Sequence, residues 1–497
     1  MNDPTKHLRY LDQYKANDYF WGLGIENETY FQFTNPSQFT VKAIYENHKP
    51  ERYSVNYFSG LNSEYKDLLK LIYPISDSAT ALAHLSDSDP ELNQIYEIPI
   101  YMNAHTLQKT DKFGSHETTY EKVPKPNPVF LGKTLHDLLQ ELNPQTFTDK
   151  YKVNYMYDGD TIEFMTQKFY KTTVRQNIEE LIKEKQQYLI ALNAAFKQLN
   201  LYQELGPLIY PKKNEPFVSF LTNKKNIAIF NNGTYHFNFT LPTQLGSNKK
   251  PVNQLLFVSQ HKAAIRYIQY LEPLIIALYG TPDPFSTVSP YYSKASQRCA
   301  VSRYIGIGTY NTEEMQTGKI LSMNTSECLA AQKPYWWYTQ YTKDTHYKPL
   351  DKIGVDINFS KHGTHGIEVR FLDWFPEEKL EEIMISMVHT LDFSLKHGLP
   401  DDPTICPIWN GLVIKMLKTG PSAVLSDEEW SMYTNVFKLK IPNNKAKPIK
   451  AAYDIINESL SKVHGPCSKN MLADIPGYKP KTKSFFSSVF GSCMSPG

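Results

Sequence analysis

The sequence predicts an α+β fold in which helices cover one face of a mainly antiparallel sheet. Three observations carry this. Segments that alternate apolar and polar residues with a period of two lie among long segments with helical spacing. The two kinds follow one another without a regular βαβ rhythm, and no glycine-rich phosphate loop follows an alternating segment. Hydrophobic residues make up 41% and aromatics 13% of the 497 residues, which suffices for a large core and excludes global disorder.

In chain order, residues 22–31, 155–167, 233–243 and 366–374 alternate cleanly and read as half-buried strands, with 354–360 as a shorter fifth. Residues 177–200, 252–278 and 379–396 read as helices. The first carries an apolar stripe (Ile178, Leu181, Ile182, Tyr188, Leu189, Leu192) suited to packing on a sheet. The third ends in Lys396-His397-Gly398, a cationic last turn followed by a C-cap glycine. Residues 32–150 are rich in Asn, Pro, Tyr and Lys and have weaker periodicity. They read as an insertion with one strand at 95–102. Periodicity is lost again from about Ser468. The expected organisation is therefore one catalytic domain over 1–467, interrupted by the 32–150 insertion, and a mobile tail over 468–497.

Composition narrows the function classes. The 53 Lys and Arg nearly balance 51 Asp and Glu, for a formal net charge of +2, so nothing demands a nucleic-acid partner. The opening MNDPTKHLRYLDQYK lacks the apolar core of a secretory signal. The most apolar stretch, LEPLIIALY at 271–279, is roughly half the length needed to cross a bilayer. Cys299, Cys328, Cys406, Cys467 and Cys493 are odd in number and never form a CxxC pair, which argues against a disulfide framework and a structural zinc. The expectation is a soluble, cytoplasmic protein without membrane contact. Its oligomeric state is not readable.

The functional signal lies on the polar faces of the strands. In WGLGIENETYF, Leu23, Ile25 and Phe31 share one face while Glu26 and Glu28 share the other. In YMYDGDTIEFMTQ, the turn Asp158-Gly159-Asp160 leads into a strand that sets Glu163 against Ile162 and Phe164. In GTYHFNFTLPT, Tyr235, Phe237, Phe239 and Leu241 oppose Thr234, His236, Asn238 and Thr240. In HGIEVRFLDWFP, Ile367, Val369 and Phe371 oppose Glu368 and Arg370. Taken singly, each reads more readily as a solvated face, a hydrogen-bonded histidine or a simple ion pair. If the strands are neighbours, Glu26, Glu28, Glu163, His236, Glu368 and Arg370 line one funnel. Carboxylates crowded there repel unless cations neutralise them. Oxygen-rich ligation with a minority imidazole suits Mg2+ or Mn2+, and magnesium held this way keeps positions open for phosphate oxygens, which makes ATP the natural co-substrate.

At these residues the sequence resembles glutamate–cysteine ligase of the bacterial type, within the glutamine synthetase-like carboxylate–amine ligases. GIENE resembles the family's G-I/V-E-x-E, DGDTIEFMT its second acidic strand, GTYHFNFTLP its G-x-H-x-N-F-S strand and IEVRFLDWFP its I-E-V-R-S-L-D-x-N-P-F segment. LYGTPDPF and SQRCAVSRYIGIGTYN resemble its L-F-G-A-S-P-A and S-x-R-M-S-D-L-G-Y stretches, so six segments occur in family order from Trp21 to Pro376. The resemblance implies a cup-shaped sheet with helices on its outer face. It also implies phosphorylation of the γ-carboxylate of glutamate by ATP, followed by attack of an amine, cysteine in this family, on the acyl phosphate. Glu26, Glu28, Glu163, His236 and Glu368 fall at the magnesium-ligand positions, with Asp158 or Asp160 as a further ligand. Arg370 falls where the family stabilises the transferring phosphoryl group, so Arg370, Glu26 and Glu368 would carry the chemistry. Arg303 would contact a phosphate or substrate carboxylate, and Asn238 would support a ligand or a substrate amide.

The sequence departs from the pattern at FLDWFP, at TPDPFS and at the Tyr-Ile-Gly-Ile-Gly run after Arg303, and its first two acidic strands are about a hundred residues further apart than in the family. These departures bear on which amine is accepted. The alternatives are another ligase on the same scaffold that joins glutamate or a related acid to a different amine, and an inactive binding module.

Overall fold

The computed structural model describes residues 18–40, 95–108, 133–147, 154–158, 161–215, 217–221, 227–229, 232–247, 251–282, 294–296, 367–403, 406–440 and 445–475. The expected strand at 354–360 lies outside them. Within them the protein is α+β, as the alternation and helical spacing predict.

The first half of the chain supplies β1 (Tyr19–Thr29), β2 (Phe31–Phe33), β3 (Ser37–Thr40), β4 (Ile95–Ile98), β5 (Ile100–Met102), α1 (Ala104–Gln108), α2 (Leu135–Leu142), β6 (Tyr155–Asp158), β7 (Thr161–Met165) and α3 (Val174–Gln198). Then come β8 (Leu208–Ile209), β9 (Phe217–Phe220), β10 (Ile227–Ile229), β11 (Gly233–Gln244), α4 (Gln254–Tyr279) and β12 (Ile367–Asp373). The C-terminal part is helical, with α5 (Leu380–His397), α6 (Pro407–Thr419), α7 (Asp427–Val436), α8 (Ile449–Ser461) and α9 (Pro466–Met471).

All four cleanly alternating segments enter one sheet, ordered β12-β11-β1-β7-β6 and antiparallel throughout. A second sheet, β10-β9-β5-β2-β8, is antiparallel except where β5 runs parallel to β9. The strand expected at 95–102 is broken at Pro99, a residue that cannot donate to a ladder, into β4, which pairs with β3, and β5, which joins the second sheet. The part of 32–150 that contains β5 is thus built into the core, with Ile100, Tyr101 and Met102 at most 1% exposed.

Helix α3 packs against β1 and β7, and α4 against β11 and β12. Their buried residues (Leu181, Tyr188 and Leu192; Ala264, Ile268, Leu271 and Ile275) form one apolar cluster with Leu23, Ile25, Phe237, Phe239, Ile367 and Val369 of the sheet. Burying each of the Leu, Ile, Val and Phe side chains is worth about 1.5–3 kcal/mol, which holds one face of the sheet against the helices and assigns the other to polar residues. Local signals set the helix ends. Thr173 and Gln176 form a capping box that starts α3 three residues before the expected position, and Asn253 caps α4 through the Leu256 N–H at 2.9 Å. The last turn of α5 closes on Gly398 at φ +74°. A further tie joins α4 to β11: the His261 Nε2 accepts from the Leu241 N–H at 3.0 Å while its Nδ1–H donates to the Phe257 carbonyl at 2.7 Å.

Packing continues past Ser468, where the tail was expected to begin. The carboxylate of Asp392 on α5 accepts the backbone N–H groups of Gly465, Cys467 and Ser468 at 3.0, 2.8 and 2.8 Å. Cys467, Met471 and Leu472 are fully buried, and Asp474 accepts a hydrogen bond from Thr173. Here a buried acid provides the anchor that apolar periodicity does not advertise. Among the described residues no helix is long and apolar enough to cross a membrane.

Candidate metal centre

The site is assembled by strand register. Glu26 on β1 lies directly opposite His236 on β11, Glu28 lies opposite Thr234, and Gly24 lies opposite Asn238. On the other side of β1, Glu28 lies opposite Glu163 of β7. Asn238 in turn lies opposite Glu368 of β12. Residues directly opposite in an antiparallel pair share a face, so these side chains emerge on the side away from the helices. The funnel lining expected from the four alternations is therefore drawn together on four adjacent strands.

The closest grouping is Glu26, His236 and Glu368, whose ligand atoms lie within 4.8 Å of one another. His236 is only 1% exposed and sits at the centre. Its Nδ1 is 3.4 Å from Glu26 Oε2 and 3.9 Å from Glu368 Oε1, and its Nε2 is 3.7 Å from Glu28 Oε1. The carboxylates are held from behind. Asn238 Nδ2 donates to Glu26 Oε1 at 3.2 Å, Thr234 Oγ1 donates to Glu28 Oε2 at 2.9 Å, and Arg370 Nη1 donates to Glu368 Oε1 at 2.9 Å. The side chains of Glu26 and Glu28 are 12% and 13% exposed, Glu368 and Arg370 5% and 15%. Glu163 is buried at 8%.

Two backbone features shape this face. Gly233 opens β11 at φ +128°, and a Cβ there would lie 1.9 Å from the Glu28 carbonyl oxygen, so only glycine lets β11 close onto β1 at this point. At the other end the Phe169 ring lies over Gly22 and Gly24, where added Cβ atoms would approach it to 2.0 and 2.9 Å. That aromatic ring borders the polar row beyond Asn238.

Beside the cluster, strict alternation is broken on β12. Phe237 pairs with Val369 but Tyr235 pairs with Leu372, so β12 carries one extra residue in a bulge at Arg370-Phe371. After it the phase inverts. Leu372 takes the apolar side opposite Tyr235, and Asp373, buried at 1%, stands opposite Thr234 on the polar side. Alternation alone misses Asp373. The visible sign was two consecutive large apolar residues, Phe371 and Leu372, where a polar one was due. Asp158, the other acid of the register, lies opposite Thr161 on β6. Asp160 and Arg303 lie outside the described residues.

Chemically, the described face gathers five acids (Glu26, Glu28, Glu163, Glu368, Asp373) around one imidazole and one guanidinium. So many carboxylates in one largely enclosed place repel one another unless a cation joins them. Carboxylate oxygens with one imidazole nitrogen, with Glu26, Glu28 and Glu368 each oriented by a hydrogen bond, match a small divalent cation such as Mg2+ or Mn2+ better than a thiolate-seeking metal. Cys406 and Cys467, the free cysteines among the described residues, take no part in the grouping.

Fold and site together describe an α+β protein with a carboxylate–histidine cluster on the polar face of an antiparallel sheet. No protein-family model matches the sequence. The chain is 40% identical over 468 residues to a protein of Acanthamoeba polyphaga mimivirus named Uncharacterized protein R704, an alignment that spans 93% of this chain and 79% of the mimivirus protein. The chain belongs to the same family as that protein.

Proposed function

We propose that the protein is an ATP- and magnesium-dependent carboxylate–amine ligase of the glutamate–cysteine ligase type, which forms a γ-glutamyl amide through an acyl phosphate. The observation that carries this reading is the register that places Glu26, Glu28, Glu163, His236, Glu368 and Arg370 on one face of four adjacent strands. It is the arrangement the resemblance requires of segments scattered from residue 26 to residue 370. The cup shape of the sheet belongs to the same proposal.

The donor set fits the cation. Glu26, His236 and Glu368 would hold it, and Glu28 and Glu163 offer further carboxylates beside them. A bound divalent cation would supply charge neutralisation for phosphate oxygens. The chain's own residues do the rest by positioning. Arg370, held through Nη1 beside Glu368, would stabilise a transferring phosphoryl group, where a planar, permanently charged donor is most effective. Asn238 fixes Glu26, so the first ligand is preset before substrate arrives. The Phe169 ring excludes water from the end of the row next to Gly22 and Gly24.

The test is ADP release from ATP and Mg2+ with glutamate present and each amino acid or amine added in turn. Fastest turnover with cysteine or 2-aminobutyrate supports the glutamate–cysteine pair. Turnover with another amine alone keeps the ligase chemistry and reassigns the acceptor. A folded, cation-binding protein that releases no ADP with any pair would overturn the ligase reading in favour of a binding module.

A further inference from the structure

We infer that the cavity between the C-terminal ends of α4 and β12 and the first turns of α5 and α8 is a small-molecule site, separate from the metal centre, that takes a carboxylate with an aromatic body. The cavity has a volume of about 430 Å3, within the range of roughly 300–1,000 Å3 typical of such sites, and its lining is mainly apolar. Phe375 and Thr281, each 2% exposed, form its floor. The Phe375 ring packs on Tyr235 of β11 with centroids 4.4 Å apart. Tyr235 projects from the apolar face of β11 and His236 from the polar one, so the cavity lies behind the sheet, on the side of the helices. None of its lining residues belongs to the metal centre. The Thr281 hydroxyl donates to the Trp374 carbonyl at 2.9 Å, which joins the TPDPFS and FLDWFP departures from the ligase pattern in one wall.

Wall and mouth differ in chemistry. Trp374, Phe375 and Tyr279 supply aromatic surface, which favours a ring offset from or edge-on to their own. Lys379, Glu382 and Lys450 are exposed at the mouth. Glu382, the one acid among the lining residues, already accepts from the Tyr279 hydroxyl on Oε1 at 2.6 Å and from Lys379 on Oε2 at 3.3 Å. Lys450 donates to Asp454, one turn further along α8 and outside the lining. An ammonium has three N–H groups, so each lysine can meet a second acceptor and keep its partner. Two ammonium groups against one carboxylate make the mouth attract an anion, and the single excess charge suits a monoanion. A carboxylate held there would lay its ring against Trp374, out of reach of the reacting groups across the sheet.

The experiment titrates the full-length protein with 2-naphthoate by isothermal calorimetry, beside 2-naphthylmethylamine, which has the same rings and the opposite charge. The carboxylate is expected to bind about tenfold more tightly than the amine. Lys379→Met and Lys450→Met should each weaken 2-naphthoate by about fivefold, as for one partly exposed ion pair, and the double variant by more than either. Trp374→Ala should weaken it by about tenfold. Glu368→Gln, which alters the metal centre, should leave 2-naphthoate affinity unchanged and so separates the two sites without reference to turnover. Equal affinity for the two probes, full affinity in the folded double lysine variant, or loss of binding in Glu368→Gln would each overturn the inference, as would no binding by the folded wild-type protein.

Discussion

The two five-stranded sheets are built on opposite terms. In the first, strands of up to 12 residues present one face to the helices and keep the other polar, so acids, imidazole and guanidinium have somewhere to stand. In the second, strands of two to four residues bury side chains on both faces: Phe31, Phe33, Ile100, Tyr101, Met102, Val218 and Phe220 are at most 1% exposed. Its polar groups serve architecture. Tyr101 donates to Asn232 Oδ1 at 3.0 Å, tying the sheet to the residue just before β11. Phe31 stacks on Tyr188 of α3 with centroids 5.7 Å apart, and Tyr188 also meets Tyr155 and Phe164 of the first sheet. One sheet is a platform for chemistry, and the other is a brace that fixes where the platform sits.

If that division is right, substitutions in the two sheets should separate function from stability. The largest effect is expected from Glu368→Gln, which should abolish turnover and Mn2+ binding while the thermal midpoint moves by only a few degrees; unchanged turnover in the ADP assay would remove Glu368 from the site. Arg370→Ala should slow the phosphoryl step by on the order of 10³-fold, well beyond the weakening of Mn2+ binding that follows from releasing Glu368. A metal-binding loss that accounts for the whole loss of turnover would confine Arg370 to ligand support. In the brace, Phe31→Ala should cost about 3–5 kcal/mol of unfolding free energy by urea titration, with Mn2+ affinity per folded molecule preserved. Comparable losses of affinity and stability would mean the sheets are not separable.

A smaller, pH-dependent effect concerns the joint between α4 and β11. Burial pushes the His261 imidazole down to about 4. The unfolded chain, with an ordinary value near 6.5, takes up this proton first, so stability is fully present above that value and declines as pH falls toward 4. The loss over that window is at most about 3 kcal/mol. Urea midpoints measured between pH 7 and 4.5 should show a shallower decline in His261→Gln than in the wild-type protein, and parallel slopes would exclude His261 as a source.

The first sheet was legible because alternation there separates two chemistries. Leu23, Ile25, Phe237 and Val369 against Glu26, Glu28, His236 and Glu368 can be sorted from residue type alone. The brace was largely illegible. Strands as short as Leu208–Ile209 carry too few residues to show a period, and a strand apolar on both faces resembles any other apolar run. The anchoring of residues 465–475 was missed for a related reason, since it depends on Asp392 reaching across to backbone N–H groups 73 to 76 positions away.

What the sequence alone determined, for the first sheet, is the inventory and the facing: which long strands exist, which of their residues turn from the core, and that these are acids, a histidine and an arginine. Side-chain direction follows from the two-residue period of an extended chain, a local property. Only the tertiary structure decided the pairing, and pairing makes the site. The opposition of Glu26 to His236, of Glu28 to Glu163 and of Asn238 to Glu368 depends on strand register between segments up to 210 residues apart. So does the bulge at Arg370-Phe371 that turns Asp373 to the polar side, and so does the hydroxyl of Thr234 placed between Glu28 and His236. Register is set by the packing of whole faces against helices and by backbone hydrogen bonds common to every residue, neither of which is written in any one segment.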